Sequence, residues 1–165
     1  MASEQSIAIS RLHELFSYNP KTGSLIRKTR TSRPNIGDEA GSLTDKGYLR
    51  VLVDGARIYV HRIAWAMHYG KWPDALIDHK NLVKSANRIG NLRLASNASN
   101  SQNRRTRTDN KIGLKGVSEK HGRFWSRIKV NGREKSLGFY DTAEEAHEVY
   151  CLAADMLHGR FSNHG

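Results

Sequence analysis

Leu76-Ile-Asp-His-Lys-Asn-Leu-Val-Lys-Ser-Ala-Asn-Arg-Ile-Gly-Asn-Leu-Arg-Leu-Ala-Ser-Asn-Ala-Ser-Asn-Ser-Gln-Asn103 is the stretch on which the reading of this chain turns. A short apolar run ends in an adjacent acid and imidazole, Asp78 and His79. A polar segment follows, then the alternation of Leu92 and Leu94, then asparagines at 97, 100 and 103. The pattern predicts a strand over 76–80, a loop over 81–90, a second short strand over 91–94 and a helix over 96–104. Ser96 or Asn97 would cap that helix. Neighbours on a regular strand face opposite ways, so Asp78 and His79 can share a site only if the strand ends or twists there.

These residue types suit hydrolysis of a phosphodiester. Its negative charge repels nucleophiles, so the reaction needs a base to activate water and a cation to stabilise the developing charge. Asp78 and Asn100 offer oxygen donors, which fit Mg²⁺ or Mn²⁺ better than zinc. His79, with a reference pKa of about 6.5, can take a proton from water at neutral pH. By themselves, an Asp-His pair and scattered asparagines fit a structural loop better than a catalytic site, because asparagine is common in loops and caps and a lone histidine is more often structural.

Upstream, 7–16 places Ile9, Leu12, Leu15 and Phe16 at helical spacing. Asn19-Pro20-Lys21-Thr22-Gly23 is turn chemistry before a strand over 24–27, and 28–46 reads as an aperiodic loop. Residues 47–63 form a hairpin around Asp54-Gly55. A helix should start near His61 and stop at Gly70, with its aromatic stripe (Trp65, Tyr69) packed on the hairpin. His61 reads as a structural hydrogen-bonder, with a phosphate contact at the helix N-terminus as the alternative.

Downstream, Arg104-Arg105-Thr106-Arg107-Thr108-Asp109-Asn110-Lys111 is a basic linker, and the composition shift sets a boundary near 108. The expected domains are 1–107 and 108–165. In the second, Val117 begins a strand, 124–130 alternates, Asn131-Gly132 makes a two-residue turn and 134–139 returns. Thr142 and Glu145 then have the spacing of a capping box, ahead of a helix burying Ala146, Tyr150, Ala153, Ala154 and Leu157. The fold class is α+β.

Charge narrows the partners. The net formal charge is +11, which favours a polyanion, nucleic acid first. It is also localised: 101–136 holds eleven Lys/Arg against three Asp/Glu (net +8), whereas 137–165 holds one against five (net −4). A single cysteine, Cys151, excludes an internal disulfide and a cysteine-cluster zinc site. No apolar run has the length of a membrane span and the start of the chain lacks a signal-type apolar region. The expectation is a soluble, cytoplasmic protein with no membrane partner and no small-molecule cofactor.

The order Asp78-His79, Asn91 twelve residues past the histidine and Asn100 nine further on resembles the His-Asn-His (HNH) endonucleases. The likeness is to the phage and intron-homing branch, which ends in Asn. Tyr48-Leu-Arg-Val, Val60-His-Arg-Ile-Ala-Trp and Asn87-Arg-Ile-Gly-Asn-Leu-Arg extend it over most of 8–105. It implies a ββα-metal nuclease core, here with an N-terminal helix and hairpin extension, and one Mg²⁺ or Mn²⁺ ion per site. His79 would be the general base and Asp78 and Asn100 the metal ligands. Asn91 would staple the loop and orient the base; Asn87 and Asn103 would hold substrate or loop. The family often has Asn-Gly-Asp after the Asp-His pair and Asp-Asn-Arg later. Asn81-Leu82-Val83 and Ala86-Asn87-Arg88 stand here instead, so the loop is reshaped.

In 113–163, Gly116-Val-Ser, Ile128-Lys-Val-Asn-Gly-Arg and Leu137-Gly-Phe-Tyr-Asp-Thr-Ala-Glu-Glu-Ala resemble the Apetala/ethylene-response-factor DNA-binding domain. That domain lays a three-stranded sheet, backed by one helix, in the major groove of double-stranded DNA. The resemblance implies a DNA face holding Arg127 and Lys129. Trp125 shares their strand face, with Arg123 before them, Arg133 after the turn, and Arg104, Arg105 and Arg107 on the linker. Strand parity puts Glu134 and Ser136 on that face, where the family usually has a cation and an aromatic, and puts Lys135 on the apolar side. Together the two likenesses imply a homing-type, site-directed DNA endonuclease acting in a bacterial or phage-infected cell. The alternative is a sequence-specific DNA-binding regulator with a degenerate nuclease half.

Overall fold

The computed structural model describes residues 4–30, 35–96, 103, 106 and 108–165. It divides into two compact units, 1–95 and 96–165. Among the described residues the architecture is mixed α/β, with four small antiparallel sheets and three α-helices.

After a 3-10 turn at Glu4–Ser6, α1 (Ile9–Leu15) gives way at Phe16 to β1 (Phe16–Tyr18). The expected helix ends one residue early because Phe16 turns extended and pairs with Arg27 in β2 (Leu25–Arg27). Within the expected loop 28–46 lies a short strand, β3 (Ser42–Leu43). It pairs with β4 (Leu49–Val53), which pairs in turn with β5 (Ala56–Tyr59). The β4–β5 turn is Asp54-Gly55 with φ of 46° and 85°, the doubly positive conformation that matches strand twist in a two-residue hairpin.

Helix α2 (Val60–Tyr69) follows β5 directly and ends at Gly70 in the left-handed region. Its inner face, Val60, Ile63, Ala66 and Met67, joins Leu12, Phe16, Leu25, Val51, Val53 and Ile58 in one core. The aromatic stripe does not face the hairpin. Trp65 packs toward Ile77 and Leu92 beside Ala64, and Tyr69 is half exposed. Arg62 pins the chain beyond α2 by donating to the carbonyls of Pro73 and Ala75 and pairing with Glu4. The chain is thereby aimed into β6 (Leu76–His79), whose antiparallel partner is β7 (Leu92–Ala95).

The loop between β6 and β7 is buttressed from the β1–β2 hairpin. Tyr18 Oη donates to the Asn87 carbonyl at 2.8 Å and Ile89 N–H donates to the Pro20 carbonyl at 3.0 Å. Gly23 has φ +87°, and a Cβ there would lie 2.3 Å from Arg88 N and 2.6 Å from the Asn87 carbonyl carbon. Gly23→Ala should therefore cost about 1–3 kcal/mol from strain at positive φ alone. A thermal melt of the variant, falling below wild type, checks this.

The second unit contains β8 (Val117–Lys120), β9 (Arg123–Val130) and β10 (Arg133–Tyr140) in the order β10-β9-β8, followed by α3 (Ala143–His158). Both turns are two-residue hairpins with positive φ, His121-Gly122 and Asn131-Gly132. Ser126, Ile128 and Ala146 are buried, and Ile128 packs with the helix residues Tyr150 and Ala154. Leu157, expected in the core, is 47% exposed. Thr142 caps α3 by accepting from Glu145 N–H.

Simple parity holds on β10 through Ser136, with Glu134 and Ser136 opposite Lys129 and Arg127 and Lys135 opposite Ile128, and breaks beyond it. The register shifts between Ser136 and Gly138, so Leu137 is an extra residue and the alternation inverts beyond it. Phe139 consequently pairs with Trp125 on the exposed face, where uninterrupted alternation would have turned it inward.

Candidate active site

β6 ends at His79, and Leu82 at φ +62° turns the chain away three residues later. The last two strand positions are both buried, Asp78 at 5% and His79 at 4% exposure. Asp78 lies opposite Arg93 on β7. The guanidinium grips one carboxylate oxygen, Oδ2, from Nε at 2.8 Å and Nη2 at 2.6 Å. Charge-assisted bonds to a buried carboxylate are the strong kind, and they fix its orientation.

His79 meets a different set of groups. Its Nε2 lies 3.1 Å from Asn87 Oδ1, a residue only 1% exposed. The edge of the His61 ring meets it at 5.2 Å between centroids, and Tyr48 lies at 6.0 Å. Burial pulls the His79 pKa below its ordinary value. The Asn87 bond and the Asp78 charge oppose that pull, while Lys84 adds to it. The imidazole is therefore neutral at neutral pH, the form that accepts a proton.

Asn91 performs a separate task. Its Nδ2 donates to Asn81 Oδ1 at 2.9 Å and to the Ala86 carbonyl at 2.8 Å, while its Oδ1 accepts from Asn81 N–H at 3.1 Å. Its backbone carbonyl accepts from Lys80 N–H. One carboxamide thus closes the loop 81–86 on itself, and Asn81 Oδ1 also accepts from Val83 N–H. Neither end of the Asn91 carboxamide is bonded to His79; Asn87 makes that bond, and spacing alone does not distinguish the two. Asn100, the other expected ligand, and the expected helix 96–104, apart from Ser96 and Asn103, lie outside the described residues, as do Arg104, Arg105 and Arg107.

His61 is buried, and its Nδ1 has no hydrogen-bond partner among the described residues. It is held by rings instead, stacked on Tyr59 at 5.3 Å and tilted against Tyr48 at 5.5 Å. Burial, followed by the neighbouring His79 and Arg62, pushes its pKa down to about 3. An unfolded chain would protonate His61 below about 6.5, and the folded one only near 3. The unfolded state binds more protons in that window, so His61 costs about 1.4 kcal/mol of stability per pH unit as pH falls through it. Urea unfolding at pH 7 and pH 4.5 should show a smaller acid loss for His61→Gln than for wild type.

On the second unit, the exposed sheet face gathers Trp125 and Phe139, stacked at 6.1 Å with rings 14° apart. Arg127 lies over the Trp125 ring at 4.8 Å and Lys120 at 5.2 Å. Trp125 Nε1–H donates to Ser136 Oγ at 2.8 Å. Arg127 pairs with Glu134, and Arg123 with Asp141, both at the surface. Lys129 is opposite Glu134 in the register, and Lys135 is opposite Ile128. Arg133 pairs with Val130, which places it on the face opposite Arg127.

The site lies within a span that matches known proteins. Residues 58–102, from β5 through β7, match the family model described as HNH endonuclease. An uncharacterized HNH endonuclease of Acanthamoeba polyphaga mimivirus is 32% identical over 114 residues, 68% of this chain. The match spans 59% of that relative's length. No helix among the described residues is long and apolar enough to cross a membrane.

HNH nucleases generally use a divalent metal ion. Among the described residues no three His, Cys, Asp or Glu side chains cluster as metal ligands. The donor type at Asp78 fits a hard cation, and an ion bound there would share the carboxylate with Arg93.

Proposed function

We propose that this chain is a site-directed, homing-type DNA endonuclease with one Mg²⁺ or Mn²⁺ ion per site. The observation that carries the reading is the end of β6. A neutral imidazole and an anchored carboxylate stand side by side there, inside the span that matches HNH endonucleases.

In this account His79 removes the proton from the attacking water. Asp78, with Asn100, would hold the ion, whose charge stabilises the pentacovalent phosphate and the leaving oxygen when bound. Arg93 keeps Asp78 oriented, and Asn91 keeps the loop closed so that the base does not drift. Because burial lowers the His79 pKa, cleavage should persist below the pH at which an ordinary histidine would be half protonated.

The second unit, an Apetala/ethylene-response-factor-type domain in this reading, would hold the recognition sequence. The exposed sheet face supports that role: stacked aromatics flanked by Lys120, Arg123, Arg127 and Lys129 suit a groove edged by phosphates. The linker arginines 104, 105 and 107 would reach further phosphates. The Arg127–Glu134 pair is exposed and weak in water, at about 0–1 kcal/mol, so phosphate can replace the carboxylate at small cost. Arg127→Ala should weaken duplex binding and flatten the log K against log salt slope by about 0.9, the share of one neutralised phosphate. Fluorescence anisotropy across a salt series measures it, and an unchanged slope removes Arg127 from the interface.

The experiment that tests the whole reading begins by selecting duplexes from a random-sequence pool on the full chain in EDTA. Adding Mg²⁺ should then cut the selected duplexes at a fixed distance from the common sequence. Cuts scattered irrespective of that sequence would leave only a non-specific nuclease. Binding with no cuts would leave a DNA-binding regulator.

A further inference from the structure

The carboxamide that touches the base imidazole belongs to Asn87, and the restraints around it hold that bond in place. Its backbone carbonyl accepts from Tyr18 Oη at 2.8 Å. The peptide that follows it packs against Gly23 so closely that no Cβ fits there. The next residue but one is bonded through Ile89 N–H to the Pro20 carbonyl. The side chain itself is 1% exposed, and its Nδ2 has no hydrogen-bond partner among the described residues.

That unpartnered amide is informative. Burying a polar N–H without an acceptor is unfavourable, and leucine, of similar shape, would avoid the penalty. Among the described residues, the hydrogen bond that the Asn87 side chain makes is the one between its Oδ1 and His79 Nε2. A carboxamide oxygen can only accept. The ring proton must therefore sit on Nε2, which leaves the lone pair of the neutral ring on Nδ1. Asn91 has no part in this, because both ends of its carboxamide are engaged by the loop 81–86.

We propose that Asn87 is the positioning residue of the base: its Oδ1 accepts from His79 Nε2–H, fixing the ring orientation and the tautomer in which Nδ1 takes the proton from water. The proposal rests on His79 being the base, yet its own content is a tautomer, which is measurable without any reaction.

The test uses full-length protein with ¹⁵N-labelled histidine in EDTA at neutral pH, with the His79 signals assigned by their loss in His79→Ala. The wild-type spectrum should show a protonated Nε2 and an unprotonated Nδ1. Asn87→Asp keeps an acceptor oxygen in place and should keep that tautomer. Asn87→Leu removes the acceptor, so the two tautomers should mix, and kcat on a selected duplex with Mg²⁺ should fall about 10–100-fold with KM little changed. A wild-type spectrum with the proton on Nδ1 overturns the proposal. So does an Asn87→Leu protein that keeps both the tautomer and the rate. If Asn87→Leu does not fold, the wild-type and Asn87→Asp spectra decide. If the tautomer is as stated but His79→Ala still cuts, the base assignment fails and the Asn87 bond stands.

Discussion

His79→Ala should lower metal-dependent cleavage by about 10²–10⁴-fold, the range that a positioned general base supplies, while leaving duplex affinity within a factor of a few. The two effects separate because DNA-binding residues are assigned to the second unit and the chemistry to the end of β6. The loss should appear in kcat, since the base acts on a proton that moves only as the reaction proceeds. The imidazole also packs against His61 and Tyr48, so the alanine variant leaves a cavity. His79→Gln is the companion variant that fills the space without a usable base. A His79→Gln protein that is folded and inactive assigns the loss to chemistry. Full activity in either variant contradicts the assignment.

Arg93→Leu should destabilise the first unit by about 3–5 kcal/mol, the usual cost of removing one partner from a buried ion pair. The guanidinium is 9% and the Asp78 carboxylate 6% exposed at the side-chain level, so solvent cannot easily replace the missing partner. Replacing both charges is a different matter. The Asp78→Leu/Arg93→Leu double variant leaves neither charge of the pair buried and should recover much of the stability, because the penalty comes from burying the carboxylate without its guanidinium more than from the missing attraction. Denaturant titrations in EDTA at pH 7 compare the three proteins. A single variant as stable as wild type would show that the pair is not what fixes Asp78. The stable double variant should still fail to cut, because the carboxylate assigned to the metal is gone.

Much of this is legible in the residues. Asp54-Gly55 and Asn131-Gly132 announce two-residue turns because few other residues tolerate positive φ at both positions, and the strands around them follow. The strand, loop and strand of 76–95 are readable from the apolar alternation of Ile77, Leu92 and Leu94 and the polar run between them. What fails depends on packing that the spacing does not encode. Strand parity places Glu134, Lys135 and Ser136 correctly but does not foresee the register shift that brings Phe139 to the exposed face; Gly138, at φ +127°, is the residue that warns of the bulge beside it. Trp65 looks like a partner of the hairpin, yet α2 is wrapped on two sides and Trp65 faces β6 and β7.

The asparagines are the hardest to divide. Asn81, Asn87 and Asn91 are chemically identical, and the loop path alone decides which carboxamide closes the loop and which reaches the histidine. The one signal in the sequence is Gly23, which leaves room for the 87–88 peptide to come close, and its meaning depends on knowing that path. His61 reads as a hydrogen-bonder because it stands where a strand joins a helix. Its surroundings are aromatic, so burial dominates and keeps it neutral.

His79, buried beside Asp78, is proposed as the base of a divalent-metal-dependent DNA endonuclease. The most direct test incubates wild type and His79→Gln with the same selected duplex in Mg²⁺ and in EDTA, following strand cleavage on a denaturing gel and binding by anisotropy. Wild type should cut in Mg²⁺ and not in EDTA, and His79→Gln should bind the duplex and cut in neither. Equal cutting by the two proteins, or wild-type cutting that EDTA does not suppress, would contradict that assignment.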